Sequence, residues 1–478
     1  MLSTFATLSW LIIFSIGFAL AGIWYARRSR DNLEDFIVAR NSQTATATIL
    51  TLLASSLGAW ILFSPAQAAT WGGIGAITGY AIGSMSPRLT MIPLGQRMRE
   101  LIPHGHTLTE FVMVRYGSGL YRLVLVIMMF YLFISLTAEI TAIAKMVTLI
   151  APIPLWVTGG IVLGCTLLYT AWGGLKASIF TDKIQMVIIV PLLGVLVLLG
   201  WQASGGIGHV TRTLQATAPQ LLDFGNASGI KAGLTFFVAI LLTGLFHQGN
   251  WQRVYAAQST RAMRRGFLLG GLLVAPVIFL MGLFGLAFVA QGGGDDSVAL
   301  FTVLIPNLPL WFAVALIPLG LSLVMSSADT AISAVSSMIA VDARRLLPHA
   351  PNDTLMRYAQ IAIYVMAVPV WLVSAQGYSV LYLFLLADLL CSAAAFPVFY
   401  GLYSSQYNGR TALISTVGGL LAGLSVFPAP DGNMDTLLES FLLAALTPVA
   451  ISIVLTRLWP SAHYDLQQMQ HRIRSLQI

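Results

Sequence analysis

The chain has 478 residues, 57% of them hydrophobic and only 9% charged, where a soluble globular domain carries about a quarter charged. So little charge over this length excludes an ordinary water-soluble domain and puts most of the surface against lipid. The net charge of +7 is no nucleic-acid footprint, because the basic residues are not clustered with aromatics on one segment. The two cysteines, Cys165 and Cys391, both lie in apolar runs, which excludes a disulfide scaffold or a four-cysteine metal site.

A membrane crossing needs roughly 20 mostly apolar residues to cover about 30 Å of hydrocarbon. Thirteen such spans are expected, at about 5–26, 47–71, 74–96, 119–149, 154–172, 183–202, 230–249, 266–291, 309–341, 356–374, 378–403, 409–427 and 434–457. No soluble domain fits between them, so residues 1–478 form one all-α polytopic membrane domain, with a tail at 458–478. Span 3 is interrupted by Pro87 and Arg88.

The basic residues orient the chain. Arg27, Arg28, Arg30 and Arg40 follow span 1; Arg97, Arg99, Arg115 and Arg122 follow span 3; Lys176 and Lys183 follow span 5. Arg253, Arg261, Arg264 and Arg265 follow span 7; Arg344, Arg345 and Arg357 follow span 9; Arg410 follows span 11; Arg457, Arg472 and Arg474 follow span 13. These are 21 of the 25 Lys and Arg, all on one side, and positive loops stay cytoplasmic. The N-terminus is therefore expected outside and the C-terminus inside. Ala19-Leu20-Ala21 looks like a signal cleavage site, but no positive charge precedes the apolar run and arginines follow it, which favours an uncleaved helix.

Span 2 contains "TLLASSLGAWILFSP" (51–65). Gly58 weakens a helix, Pro65 lacks the amide that would bond Ile61, and Ser55 and Ser56 compete for local carbonyls. A break here would free carbonyls around Ala54 to Leu57. Span 7 has a second weak point at Thr243-Gly244. Paired interruptions in corresponding helices point to an inverted-repeat transporter: spans 2–6 (about 47–202) against spans 7–11, which begin near 230 and with span 12 run to about 427.

Ionisable groups inside spans are functional candidates by default. In span 9, Ser322, Ser326, Asp329, Thr330, Ser333, Ser336 and Ser337 recur at steps of three and four, along one helical face over roughly 22 Å. A Ser-rich face is also a packing seam; Asp329 favours an ion-lined one. Ser326 and Ser327 alone supply too few oxygens for a monovalent cation, so free carbonyls must come from a nearby unwound helix. Asp388 sits mid-way along span 11 and suits an amine, an amide or a proton, or pairs with a neighbouring helix. Glu139 in span 4 has Lys145 at a spacing poor for pairing. Trp60 and Gln67 flank the expected break and are candidates for a solute pocket. His104 and His106 are close, but they lie in a loop beside arginines, which disfavours a metal there.

The segment after span 5, "YTAWGGLKASIFTDKIQ", carries Gly173, Gly174, Ala177, Thr181, Asp182 and Gln185. "HQGNWQRVYAAQS" after span 7 carries Gln252 and Arg253, and span 9 carries "MSSADT". In this order, on these helices, they resemble the motifs of the sodium:solute symporter family across nearly the whole chain. The resemblance implies the leucine-transporter type of fold, with two five-helix inverted repeats, and uptake of a small solute coupled to sodium by alternating access. It implies sodium bound by the carbonyls of Ala54, Leu57 and Leu323 and the hydroxyls of Ser326 and Ser327. It also implies a role for Asp182 in sodium release, beside which a helix cap at Thr181-Asp182 stays open. Proline-transporting members carry Asp where this chain has Ser56, so proline is disfavoured and proton coupling stays open. "PHGHTLTEFVMVRYG" (103–117) and "LYLFLLADLLCSAAAFPVFYGLY" (381–403) resemble the urea-transporting branch more loosely.

The expected function is sodium-coupled symport of a small polar or amine- or amide-like solute, urea among the candidates, across a cell membrane. Ser56, Trp60, Gln67, Glu139 and Asp388 are the solute candidates, and Asp182 and Asp329 the release or gating candidates. The partners are solute, sodium and lipid, with no cofactor and no nucleic acid; oligomeric state leaves no mark in the sequence. A membrane solute sensor and a passive carrier are the rival classes. No nucleophile–base pair in the spans points to an enzyme.

Overall fold

The computed structural model describes residues 2–28, 32–429, 434–459 and 463–473. Arg30 and Arg474 of the basic pattern, and the end of the expected tail, lie outside the described residues. The elements in order are α1 (Thr4–Arg28), α2 (Leu33–Ile37), α3 (Ala45–Ala54), α4 (Ser64–Leu101), α5 (Leu108–Tyr116), α6 (Ser118–Ile150), α7 (Leu155–Ala203), α8 (Ile207–Thr217) and α9 (Ala227–Gly244). They continue with α10 (Gln248–Ala256), α11 (Thr260–Ala290), α12 (Ala299–Leu304), α13 (Leu310–Leu346), α14 (Asn352–Ser374), α15 (Val380–Tyr400), α16 (Gly409–Leu424) and α17 (Leu437–Leu458). Nine helices among the described residues are long and apolar enough to cross a membrane. Large apolar side chains such as Val187, 75% exposed, and Leu198, 71%, cover the outer surface of α7, as a lipid-facing helix requires.

Two of the expected loops are sharp bends inside continuous helices. α4 turns at Gly73 (φ 55°) and α7 at Gly174 (φ 51°), both in a region that disfavours a Cβ. A Cβ on Gly73 would also lie 2.3 Å from the Leu221 carbonyl oxygen, and one on Gly174 2.5 Å from that of Phe36. Spans 5 and 6 are therefore not separated by a loop at 173–182. Thr181 and Asp182 stand about two turns inside the second half of α7, and Thr181 Oγ1 lies 3.0 and 2.9 Å from the carbonyls of Ala177 and Ser178. The helix-cap alternative for this pair is thereby removed.

Two spans are broken. Span 2 is α3, an unwound stretch from Ser55 to Gly58, a 3-10 turn at Ala59–Leu62, and the start of α4 with Pro65 in its first turn, where a missing amide costs no hydrogen bond. Span 7 is α9, three non-helical residues 245–247, and α10. The segment expected to follow span 7 is thus its second half. The two broken spans are joined at the basic face: Gln43 N–H donates to Ala256 O at 2.9 Å and Gln258 N–H to Gln43 O at 2.8 Å. α4 lies along α9 and α11, and α11 also packs on α3. Glycines allow the α4–α9 approach, since a Cβ on Gly79 would lie 2.1 Å from the Gly233 carbonyl oxygen. α13 is central; nearly four-fifths of its most apolar window is buried inside the protein, against α6, α7 and α14.

On the basic face, His106 is inserted between two acids. Its Nε2 lies 2.8 Å from Glu34 Oε2 and its Nδ1 3.2 Å from Glu110 Oε2, while Arg40 Nε donates to Glu34 Oε1 at 2.6 Å. Gln248 of α10 donates to the His106 carbonyl at 2.9 Å and accepts from Leu108 N–H at 3.0 Å, tying this loop to the second broken span. Burial alone would lower the imidazole's pKa, but Glu110 and Glu34 outweigh it and raise it from 6.5 to about 9. A raised histidine contributes stability that is fully present below its unfolded value and lost as pH rises through the folded one. The thermal midpoint of the detergent-solubilised protein is therefore expected to fall between pH 6.5 and about 9, and His106→Gln to lose that component. An unchanged slope in the variant would remove His106 as its source.

Candidate functional site

The break in span 2 places backbone oxygens against α13. Ser326 Oγ donates at 3.0 Å to the Ala54 carbonyl, the last residue of α3, and lies 3.0 Å from the Leu323 carbonyl. Ser327 Oγ lies 3.1 Å from the same Leu323 carbonyl. Four of the five residues expected to hold sodium thus converge, all of them buried. Leu57, 1% exposed, belongs to the unwound stretch itself, its amide donating to Leu53 O. The set consists of neutral oxygens, two carbonyls and two hydroxyls, of the kind that replaces the hydration shell of an alkali cation.

Glu139 of α6 holds the other side of the break. Its Oε2 accepts from Ala59 N–H at 2.7 Å, satisfying an amide at the start of a turn that has no partner within the turn. Gly58 is what allows this approach, because a Cβ there would lie 1.8 Å from Glu139 Oε1. Glu139 therefore braces the unwound segment as well as facing the space beside it.

That space is a cavity of about 110 Å3 between the two breaks. Ser56, Trp60, Glu139, Ser327 and Asp388 line it, together with Thr243, Gly244 and His247 from the break in span 7. Trp60 packs on Tyr80 and Phe384, with ring centroids 5.8 and 5.9 Å apart. Gln67 does not line the cavity. It is engaged elsewhere, donating to Asp296 Oδ1 at 3.2 Å and accepting from Ser379 Oγ at 3.1 Å.

Sequence reasoning missed Arg88, Tyr80, Tyr131, His247 and Asn250 among the lining residues. Arg88 carried a signal: a charge in the middle of an apolar span marks a functional group, whereas here it was read only as an interruption. α4 runs helically through Pro87 and Arg88. The guanidinium donates through Nη1 to Ser84 O at 2.5 Å and through Nη2 to Ser56 Oγ, and Ser56 Oγ in turn donates to Leu52 O.

A second polar cluster lies about one turn below the serines. Arg253 of α10, 1% exposed, donates to Thr330 Oγ1 at 2.8 Å, to Thr51 Oγ1 at 3.0 Å and to Asp182 Oδ2 at 3.3 Å. Thr51 in turn donates to Asp182 Oδ2, so α3, α7, α10 and α13 meet at one buried ion pair. Arg253 is thus not a surface charge of the basic loops. Asp182 Oδ1 remains buried without a partner. Asp329 is partnered instead: Ser178 and Tyr169 donate to it at 2.7 Å, and Thr181 Oγ1 lies 3.1 Å away. The polar face of α13 is packed here. Ser336 and Ser337 bond carbonyls of their own helix, and Ser333 contacts Gln252.

The model of the sodium:solute symporter family matches residues 36–419, a stretch that takes in both broken spans, the cavity and the Arg253–Asp182 pair. The chain belongs to the sodium:solute symporter family. This symporter is 26% identical over 427 residues to a spermidine transporter of Candida albicans, covering 87% of this chain and 79% of that one. It is 24% identical over 492 residues to a probable urea active transporter of Schizosaccharomyces pombe, covering 91% and 73%. A solved Na+-coupled sialic acid symporter, in a substrate-bound outward-open state, has the same fold, with a TM-score of 0.76 at 17% identity over 96% of this chain and 99% of that one. The symporter is a multi-pass membrane transporter and not an enzyme.

Proposed function

We propose that this symporter sits in a cell membrane, crosses it thirteen times with its N-terminus outside and C-terminus inside, and imports a small polar solute with sodium. α3 to α7 form one inverted repeat and α9 to α15 the other; the first helix of each is broken, after Ala54 and after Gly244, which supports this division. Sodium is held by the carbonyls of Ala54, Leu57 and Leu323 with the hydroxyls of Ser326 and Ser327. Ser56, Trp60, Glu139 and Asp388 face the solute, and Gln67 fastens the outer end of the first repeat.

The observation that carries this reading is the Ser326–Ala54 contact at 3.0 Å. It joins the broken end of one repeat to a helix of the other, so an ion bound there is sensitive to their relative position. Coupling then follows from the ion's different affinity for the two arrangements. On the inner side, the Arg253–Asp182 pair closes the path below the site. The unpartnered Asp182 oxygen and the face of α13 with Asp329 receive the ion when that pair opens.

The test is uptake into proteoliposomes of radiolabelled urea, spermidine and a set of small amino acids under imposed gradients. An inward sodium gradient is expected to drive accumulation of one of them above its equilibrium level. Accumulation driven equally by a proton gradient without sodium would replace sodium as the coupling ion; uptake that only follows the solute gradient would make the protein a passive carrier.

A further inference from the structure

The solute cavity holds a cation and an anion that do not meet. Arg88 enters from α4 and Asp388 from α15, and both line it. Arg88 is anchored by neutral groups only, the Ser84 carbonyl and the Ser56 hydroxyl, and its Nε is buried without a hydrogen-bond partner. Among the described residues no carboxylate lies within ion-pairing distance of it. The backbone carbonyl of Asp388 is used by Thr243 and Ser392, which fixes the residue while its carboxylate enters no ion pair. Glu139, the other acid on the wall, is committed to Ala59 N–H. Tyr131 lines the same cavity as Arg88 and Asp388.

Unpaired buried charges are costly, and a ligand that pairs them recovers that cost. A polycation would meet Arg88, a simple anion would meet Asp388 and Glu139, and a neutral amide would leave both charges without a counter-ion. A solute carrying both signs satisfies both walls. The cavity, about 110 Å3, suits a small solute.

Resting on the reading of this cavity as the solute site, we propose that the transported solute is a small zwitterion, its carboxylate held by Arg88 and its ammonium group by Asp388.

The test is a thermal-shift measurement on the full-length protein in detergent, in sodium chloride and in N-methylglucamine chloride. The probes are glycine, β-alanine, proline, 4-aminobutanoate and 5-aminopentanoate, with butanoate, butylamine, spermidine and urea as partners lacking one or both charges. At least one zwitterion is expected to raise the unfolding temperature in sodium, and butanoate, butylamine, spermidine and urea to do so far less at equal concentration. Arg88→Gln and Asp388→Asn are expected to weaken that zwitterion's binding by roughly 10- to 100-fold, the loss of a charge-assisted contact. Arg88→Lys, which keeps the charge, is expected to retain part of it and shows that the site still folds. An equal or larger shift with urea, spermidine or butylamine, no shift with any zwitterion, or a zwitterion shift that survives Arg88→Gln would overturn the proposal. A zwitterion shift of equal size with and without sodium would leave the zwitterion standing and remove the sodium coupling instead.

Discussion

Replacing Ser326 and Ser327 together by alanine is expected to raise the sodium concentration for half-maximal uptake by on the order of 100-fold. Changes around a metal site that leave every ligand in place already cost roughly 10- to 100-fold in affinity, and here two proposed ligand oxygens are removed. Ser326 also donates to Ala54 O, so its loss loosens the contact between α13 and the broken end of α3 as well as the ion shell. The measurement is uptake at a series of sodium concentrations with choline as the replacing cation. Either single variant is expected to fall between the parent and the double variant. Sodium dependence identical to that of the parent in the double variant would remove these hydroxyls from the ion site.

The second large effect is expected from Arg253→Met. It leaves the Asp182 carboxylate in a site where both partners are at most 1% exposed, and breaking a buried pair by deleting one member costs about 3–5 kcal/mol. Thr51 and Thr330 lose their shared donor at the same time. The single variant is expected to unfold well below the parent in a thermal scan, and Asp182→Asn with Arg253→Met to recover much of that loss because no charge is left uncompensated. The singly substituted protein is also expected to release solute more freely at the inner face, since Arg253 is what joins α10 to α3 and α7. A thermal midpoint equal to that of the parent would show that the pair carries no such role. Thr330 donates to the Ser326 carbonyl at 3.0 Å, so this cluster and the proposed sodium set share one turn of α13. An ion bound above and the pair below are then coupled through a single helix, and the two variants are not expected to be additive.

Much of this arrangement is legible in the chain itself. The interruption at Ser55–Gly58 is visible because glycine, serine and proline act on the backbone locally, whatever surrounds them. The weak point at Thr243-Gly244 is visible for the same reason, and the structure breaks the helix immediately after Gly244. The Ser326–Asp329 stripe follows from helical periodicity alone. The bends at Gly73 and Gly174 are not legible as bends, because glycine only permits a positive φ, and the close approach of Leu221 in one case and Phe36 in the other, which leaves no room for a Cβ, is made by distant segments.

Charged residues divide along the same line. The excess of arginine on one side follows from counting, but the burial of Arg253 against Asp182 and of His106 against Glu34 depends on partners some seventy residues away. Arg88 is the clearest instance. Its neighbours in sequence mark it only as a fault in span 3, while α4, α6, α9 and α15 together make it a wall of the cavity opposite Asp388. Composition and period by themselves determined the membrane class, the all-helical fold and the two weak points, because apolar length and backbone preference are local properties. The tertiary structure alone decided which carbonyls meet Ser326, which acid braces the break and which charges remain unpaired, because burial and pairing exist only once distant helices are brought together.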